Sequence, residues 1–289
     1  MSLARIAHRR RVALGGLAAL LALTFVFGFT PRGQALAAQF LAQFRGERLA
    51  VVTVDPGQAG ALAQLERLGT VQGTHGKPEA VKTVAEASQR VGFPVKQPDP
   101  SALPAGLGGT PGIRVMPAYQ TRFTFDREKA RAYFQSIGRP DISLPDRFHG
   151  AALVVSMPPA AVLVYERSAD PAATAASLVV GQSRAVTVGA EGAVTLDELR
   201  EFLLGLPGLP PETVRQLRAI PDWRTTLPIP VPAGQVSWRE TTIAGGPGLI
   251  LADNTGLGSG ALWHRDDRIY GLAGPFPAPE LQRVADSLR

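Results

Sequence analysis

The longest apolar run of the chain lies between Val12 and Phe29, where eighteen consecutive residues carry no formal charge. A helix of this length spans about 27 Å, close to the hydrocarbon core of a bilayer. Arginines and no acidic residue precede the run, and this asymmetry predicts a cytoplasmic N-terminus. We therefore expect a basic cytoplasmic tail over residues 1–11 and a transmembrane helix over 12–30. The residues taken to form the membrane anchor are Val12, Leu17, Leu21, Phe25 and Phe29.

An alternative for the same run is a cleaved secretory signal peptide, because Ala35-Leu36-Ala37 has the small-x-small form of a cleavage site. The run is longer than the ~7 to 15 apolar residues of a typical signal, which favours the anchor. Under either interpretation the rest of the chain lies outside the cytoplasm. If the anchor is retained, the protein is a single-pass protein of the cell membrane.

Beyond the anchor, apolar residues recur first at helical and then at strand spacing. Leu36 and Phe40 open a one-sided stripe that predicts a juxtamembrane helix over 31–46. Short runs rich in β-branched and aromatic residues then alternate with capped helices through an extracytoplasmic domain over 47–289. The Pro/Gly-rich run 97–112 is the longest loop-like stretch and a possible boundary between two lobes.

The second half of this domain has the clearest pattern. Thr195 and Glu198 have the spacing of a capping box, which predicts the start of a helical hairpin. Prolines at every second position from Pro228 to Pro232 exclude a central strand there, because each removes a backbone donor. Strand patterns from Gln235 to Leu272 predict a β meander, and a final helix follows. The predicted fold class is α+β, with an N-terminal transmembrane helix followed by an antiparallel sheet with packed helices and a helical hairpin.

The basic character of the chain resides in its N-terminus. The net charge is +6 and the pI is near 10.1, yet five arginines fall within the first 32 residues and leave 25 basic against 24 acidic residues in the rest. A nearly neutral exported part does not attract a phosphate backbone, so we expect no nucleic-acid partner. The absence of cysteine excludes disulfides, thiolate metal sites and a cysteine nucleophile.

The sequence contains no constellation typical of catalysis. The four histidines are scattered, without the spacing that places two metal ligands on one helix face. The glycine-rich run 256–260 lacks the lysine and the helix of a phosphate-binding loop, and Asp266 with Asp267 is typical of a turn. We therefore expect no catalytic residues, no cofactor and no metal, and hence no enzyme.

Aromatic residues near the C-terminal sheet are the one indication of a binding surface. They either line an apolar groove for a lipid, a peptide or a protein partner, or they fill the core. The residues in question are Trp223, Trp238, Trp263 and Tyr270.

Four segments of the second half carry a family pattern: Asp222–Pro230, Gly246–Leu251, Leu262–Leu272 and Glu280–Leu288. They resemble the extracytoplasmic C-terminal domain of bacterial membrane-anchored anti-sigma-factor-like proteins, a domain without assigned chemistry. The resemblance is good over the last part of the chain, from Thr195 onward, and weaker before it. It implies one transmembrane helix, an outward sensor-like domain and a link to transcriptional regulation.

Proteins of that kind usually hold the sigma factor with a cytoplasmic domain ahead of the membrane helix. Here only eleven residues precede Val12, too few to bury a core, so we expect the chain to act through a partner protein in the membrane or cytoplasm. The leading hypothesis is a membrane-anchored extracytoplasmic sensor or regulatory domain that contacts the lipid bilayer through its N-terminal helix. The alternative is an envelope carrier whose sheet wraps a lipid or a lipoprotein chain. An exported hydrolase is a third hypothesis, and it lacks the required residues.

Overall fold

The protein is mostly β sheet. The computed structural model describes residues 48–54, 64–74, 76–166, 177–221, 223, 226–254 and 258–289. Among these residues strand accounts for 43% and helix for 25%, so the predicted α+β class is wrong. The α-helices are only eight to ten residues long, and they cover sheet faces without forming a layer of comparable extent.

The transmembrane helix of the predicted class falls on residues that the structure does not describe. Within the described ranges, no helix has both the length and the apolar character needed to cross a membrane. The segment 12–30, with Val12, Leu17, Leu21, Phe25 and Phe29, lies outside the described residues, as does the predicted juxtamembrane helix over 31–46.

The strands are numbered in chain order. They are β1 (Arg48–Val54), β2 (Gly69–Thr74), β3 (Glu79–Val81), β4 (Gly112–Met116), β5 (Tyr119–Phe125), β6 (Ala152–Met157), β7 (Ala160–Glu166), β8 (Ser177–Arg184), β9 (Thr187–Glu191), β10 (Thr226–Pro232), β11 (Val236–Ile243), β12 (Gly246–Asp253), β13 (Ser259–Arg265) and β14 (Arg268–Gly274). The α-helices are α1 (Val84–Val91), α2 (Arg127–Ser136), α3 (Leu196–Leu204), α4 (Pro211–Ala219) and α5 (Ala278–Asp286). Short 3-10 helices lie at Gln64–Leu68, Pro100–Ala102 and Asp146–Phe148.

The described strands form three sheets. An eight-stranded sheet has the order β11-β12-β13-β14-β8-β7-β4-β3, and a four-stranded sheet has the order β2-β5-β6-β9. Neighbouring strands in both are antiparallel. β1 and β10 form a separate parallel ribbon. The predicted β meander from Gln235 to Leu272 is confirmed as β11 to β14.

Three strands of the larger sheet lead directly into the smaller one. β4 leads into β5, β7 follows β6, and β8 leads into β9, each through two residues, and strands that are neighbours in one sheet are neighbours in the other. Two of these links contain proline, at Pro117 and at Pro158-Pro159. Proline has no N–H for the ladder, so the pairing stops and the strands turn from one sheet toward the other.

The β1–β10 ribbon packs on the larger sheet. The apolar residues between the prolines of β10 are buried against β12 and β13 in one hydrophobic cluster. Apolar residues at alternate positions of β1 belong to this cluster. The remaining apolar residues of β1 belong to the cluster that lies under α3 and α4. Since β10 has β1 as its neighbour in a sheet of only two strands, the exclusion of a central strand at Pro228 to Pro232 is confirmed.

Helices cover the remaining faces. α1 and α5 pack on the face of the larger sheet opposite the ribbon, whereas α2, α3 and α4 pack with the smaller sheet. The predicted helical hairpin is confirmed as α3 and α4. At its start the Thr195 hydroxyl accepts a hydrogen bond from the Glu198 N–H, and the Glu198 carboxylate accepts one from the Thr195 N–H at 2.7 Å. This reciprocal capping box satisfies two otherwise unpaired backbone donors.

The loop-like run 97–112 is tied to the body of the protein. The backbones of Gln97 and Arg289 exchange two hydrogen bonds of 3.0 Å, so the C-terminal residues hold the start of the run. Asp99 caps the 3-10 helix that follows, and the N–H of Gly108 donates to the carbonyl of Glu166. The division into two lobes at this run stays a prediction.

Candidate partner-binding edge

β11 is the last strand of the eight-stranded sheet, and β12 is its one neighbour among the described strands. The two strands are joined by a two-residue turn in which Ala244 has φ 49° and Gly245 has φ 81°. Positive φ at both positions is typical of the type I′ turn, which closes on a hydrogen-bonded pair, here Ile243 and Gly246. Hydrogen-bonded and non-hydrogen-bonded positions alternate along an antiparallel pair. The backbone N–H and C=O groups of alternate residues from Thr242 back to Val236 therefore point away from β12.

The side chains of β11 alternate between the two faces of the sheet. Trp238 lies opposite Leu251 and so shares the face on which the β1–β10 ribbon packs. Glu240 is on the same face, while Arg239 is on the face covered by α5. There the Arg239 Nη2 donates to the Gln282 side-chain oxygen at 2.7 Å. The outward-pointing backbone groups thus belong to residues on the Trp238 face.

Trp238 is the feature that distinguishes this edge. Its side chain is 43% exposed, and among the described residues the other large apolar side chain classed as exposed is Val71, at 37%. Val71 lies on β2, an edge strand of the smaller sheet. A tryptophan offers more contact area than a valine, and β11 is the longer of the two edges at eight residues against six. The edge that carries Trp238 is therefore the stronger candidate surface.

The other three predicted groove residues lie in the interior. Trp263 and Tyr270 are each 1% exposed, and their rings stack at a centroid distance of 5.2 Å with an angle of 12° between the planes. They are cross-strand partners on β13 and β14, beneath the helix-covered face of the larger sheet. The structure brings these two together as core.

Trp223 lies in a different hydrophobic cluster, with α3 and α4. It is 6% exposed, and its indole N–H donates to the Leu217 carbonyl at 3.0 Å. The Arg200 guanidinium lies 5.0 Å from the ring centroid and donates to the carbonyls of Leu217, Arg218 and Ile220 at the end of α4. The four aromatic residues proposed for a groove thus occupy two separate cores and one exposed edge.

The other residues considered for chemistry have structural roles. The Ser259 hydroxyl is fully buried and donates to the Phe276 carbonyl at 2.6 Å. The His149 Nδ1 accepts from the Arg127 N–H at 3.2 Å. Asp266 occupies a turn with φ 58°. Within the described ranges, no group of three His, Cys, Asp or Glu side chains is placed to hold a metal ion.

The shifted ionisable groups have local structural causes. Burial raises the pKa of Tyr119 and of Tyr165 to about 12, which keeps both phenols neutral. The pKa of Asp126 is lowered mainly by the hydrogen bond from the Lys129 N–H, and that of Glu198 by the bond from the Thr195 N–H. Both carboxylates lie at helix starts, so capping explains these shifts without an acid–base pair.

The helix-covered face of the larger sheet is filled by side chains. Four of its large residues and one residue of the covering helix α5 are at most 1% exposed, namely Leu163, Leu178, Trp263 and Tyr270 in the sheet and Leu281 in α5. A lipid chain between this face and the helices would need the same space. The packing of the described residues therefore argues against the envelope-carrier alternative.

Sequence reasoning selected Trp238 from β11 and missed its neighbours Arg239 and Glu240. The signal that could have found the edge is polarity on both faces of the strand, since Ser237 and Thr242 are exposed as well. A strand inside a sheet with one covered face normally alternates apolar and polar residues. A strand that is polar on both sides is typical of an edge.

The chain matches no known family model, and no curated protein sequence or solved structure matches it at a significant level. Its function is therefore argued from its own residues.

Proposed function

We propose that this protein is an extracytoplasmic binding module that holds an extended segment of a partner protein against β11. An added strand would pair with the backbone groups that point away from β12, and side-chain contacts would supply specificity. The observation that carries the proposal is Trp238, which is 43% exposed on this edge while the other two tryptophans are at most 6% exposed. An exposed aromatic residue beside unpaired backbone groups is typical of a binding hot spot.

The location and the regulatory role extend the proposal. The arginine-rich flank and the apolar run Val12–Phe29 favour a chain held at the cell membrane with its sheets outside the cytoplasm. The resemblance to anti-sigma-factor-like proteins favours a signalling role for the bound partner. A change in partner binding at β11 would then be the signal. Such a signal requires that the partner binds one conformation of the protein more tightly than another.

A substitution that removes one outward-pointing donor tests the binding function. Thr242→Pro deletes an N–H on the outer edge while the pairing of β11 with β12 keeps its donors. A photo-reactive residue placed at Ser237, which is exposed on β11, is expected to cross-link to a partner protein when the full chain is expressed in cells. Thr242→Pro should abolish this cross-link and Thr242→Ala should preserve it.

Two controls complete the experiment. A photo-reactive residue at Glu128, which is exposed on α2 and distant in the fold, should give no such product. An alkaline phosphatase fused after Arg289 should be active, because the enzyme folds only outside the cytoplasm. A missing cross-link at Ser237, or one that Thr242→Pro leaves intact, would contradict edge binding, and an inactive fusion would contradict the location.

A further inference from the structure

We propose that the β11 edge selects a partner segment by charge order, with a basic, an acidic and an apolar residue in succession, and that it disfavours a second copy of this chain. This inference rests on the proposed function, since it names the chemistry of the strand that β11 would bind. It follows from two neighbouring charges, the geometry of sheet edges and the position of Trp238.

All the charge of β11 is concentrated in one dipeptide. Arg239 and Glu240 are adjacent at the middle of the strand, and its other six residues are uncharged. Both side chains are exposed, and they point to opposite faces of the sheet. The turns that flank the strand, over 233–235 and 244–245, are also uncharged. A strand added at this edge therefore meets one positive and one negative position.

A second copy of the chain would place like charges opposite each other at this edge. Two identical antiparallel edges are related by a twofold axis perpendicular to the sheet, so each side chain keeps its face and pairs with a residue of the same parity. In a strand running from 236 to 243, the two registers of greatest overlap centre on residue 239 or on residue 240. The first places Arg239 opposite Arg239, and the second places Glu240 opposite Glu240.

Like charges directly opposite each other in a sheet are destabilising. Registers that avoid these pairs are shifted along the strand and lose paired residues at both ends. The charged dipeptide thus opposes self-pairing in the positions where the edge would otherwise pair best.

A different partner avoids the conflict and gains from both charges. An acidic residue opposite Arg239 and a basic residue opposite Glu240 make attractive cross-strand pairs on the two faces. An apolar residue opposite Trp238 packs across the indole. The added strand is proposed to run antiparallel, as neighbouring strands do throughout this sheet, and its residues then meet Glu240 first, Arg239 second and Trp238 third. The recognised order from N- to C-terminus is therefore basic, acidic, apolar.

Peptide binding tests this order directly. The probe is a short fluorescent peptide with Lys-Glu-Val at its centre and threonine elsewhere, and the matched control has Glu-Lys-Val with the same composition. The full-length chain in detergent should bind the first peptide about tenfold more tightly, since two attractive pairs become repulsive in the second. The variant Arg239→Glu with Glu240→Arg should reverse this preference.

The outcomes separate the inference from the proposed function. Equal binding of the two peptides, or an unchanged preference in the reversed variant, would refute the charge order even if the Ser237 cross-link persisted. If the cross-link is not formed and neither peptide binds, both the proposed function and the charge order are refuted. Sedimentation of the full-length chain supplies the test for a second copy. A dimer that disappears in Thr242→Pro and persists in Thr242→Ala would overturn the proposed exclusion of self-pairing.

Discussion

Two tryptophans on the same sheet should respond in opposite ways to truncation. Trp263 is 1% exposed and stacks on Tyr270, whereas Trp238 is 43% exposed on the outer edge. Trp263→Ala removes a buried indole and leaves a cavity, which costs about 3 to 5 kcal/mol in the free energy of unfolding. Trp238→Ala removes contact on one side only, and we expect a loss below about 1 kcal/mol.

The free energy of unfolding of each full-length variant can be measured by denaturant titration in detergent, followed by far-ultraviolet circular dichroism. Fluorescence is unsuitable because the substitutions remove the reporting side chains. If Trp263→Ala does not fold, Trp263→Phe retains a ring at the stack and should still lose more stability than Trp238→Ala. A loss for Trp238→Ala as large as that for Trp263→Ala would show that Trp238 is packed, and the reasoning about an open edge would fail.

The cross-linking experiment tests the second part of this prediction, which is the role of Trp238 in partner binding. Trp238→Ala should weaken the cross-link at Ser237 although the fold is retained, because the apolar contact of the added strand is lost. A truncation that costs stability but leaves cross-linking unchanged would point to a packing role. The two measurements together distinguish an interface residue from a core residue.

Four further substitutions test the fold. A Cβ at Gly246 would lie 2.1 Å from the carbonyl oxygen of the facing strand, so Gly246→Ala should cost about 1 to 3 kcal/mol in unfolding, while Gly189→Ala, whose Cβ meets nothing within 4 Å, should be nearly neutral. Arg200→Met should lower the free energy of unfolding by about 1 to 3 kcal/mol, because the carbonyls at the end of α4 lose a charged donor. An unchanged midpoint of unfolding in urea would refute this role of Arg200. The lowered pKa of Glu198 means that its carboxylate contributes stability above the ordinary value of 4.5 and loses that stability as pH falls through the lowered value. The stability difference between the wild type and Glu198→Gln should therefore shrink as pH falls below 4.5, and a difference that does not change with pH would contradict the capping role.

Local signals were sufficient for much of the fold. The capping box at Thr195 and Glu198 marks a real helix start, because both of its hydrogen bonds are made within four residues. The strands β11 to β14 follow the predicted meander for a similar reason, since two-residue turns connect β11 to β12 and β13 to β14 and set the register of these pairs. Helix starts and hairpin registers depend on residues that are close in sequence, so both can be predicted from the sequence.

Long-range pairing could not be predicted in this way. β1 pairs in parallel with β10, so Arg48 lies beside Thr226, and no local pattern specifies that partner. The fold class was wrong for a related reason, because Pro228 to Pro232 forms a strand once β1 is beside it and helices of eight to ten residues add little to the total. The candidate site depended on the same information. Whether Trp238 or Trp263 is exposed follows from the order of strands in the sheet, and the local indication of the difference is that the neighbours of Trp238 are polar on both faces.

The edges of these sheets show how one device can protect the fold and select a partner. β3 is only three residues long, and alternate positions of β10 are prolines, so both offer little backbone for pairing. β11 has eight residues and no proline, and the charges of Arg239 and Glu240 are what oppose its pairing with an identical edge. A short strand or a proline opposes every partner equally, whereas two opposite charges oppose only strands that present the wrong order. β11 is therefore protected only against strands that present the wrong order of charges, and it remains available to a complementary strand.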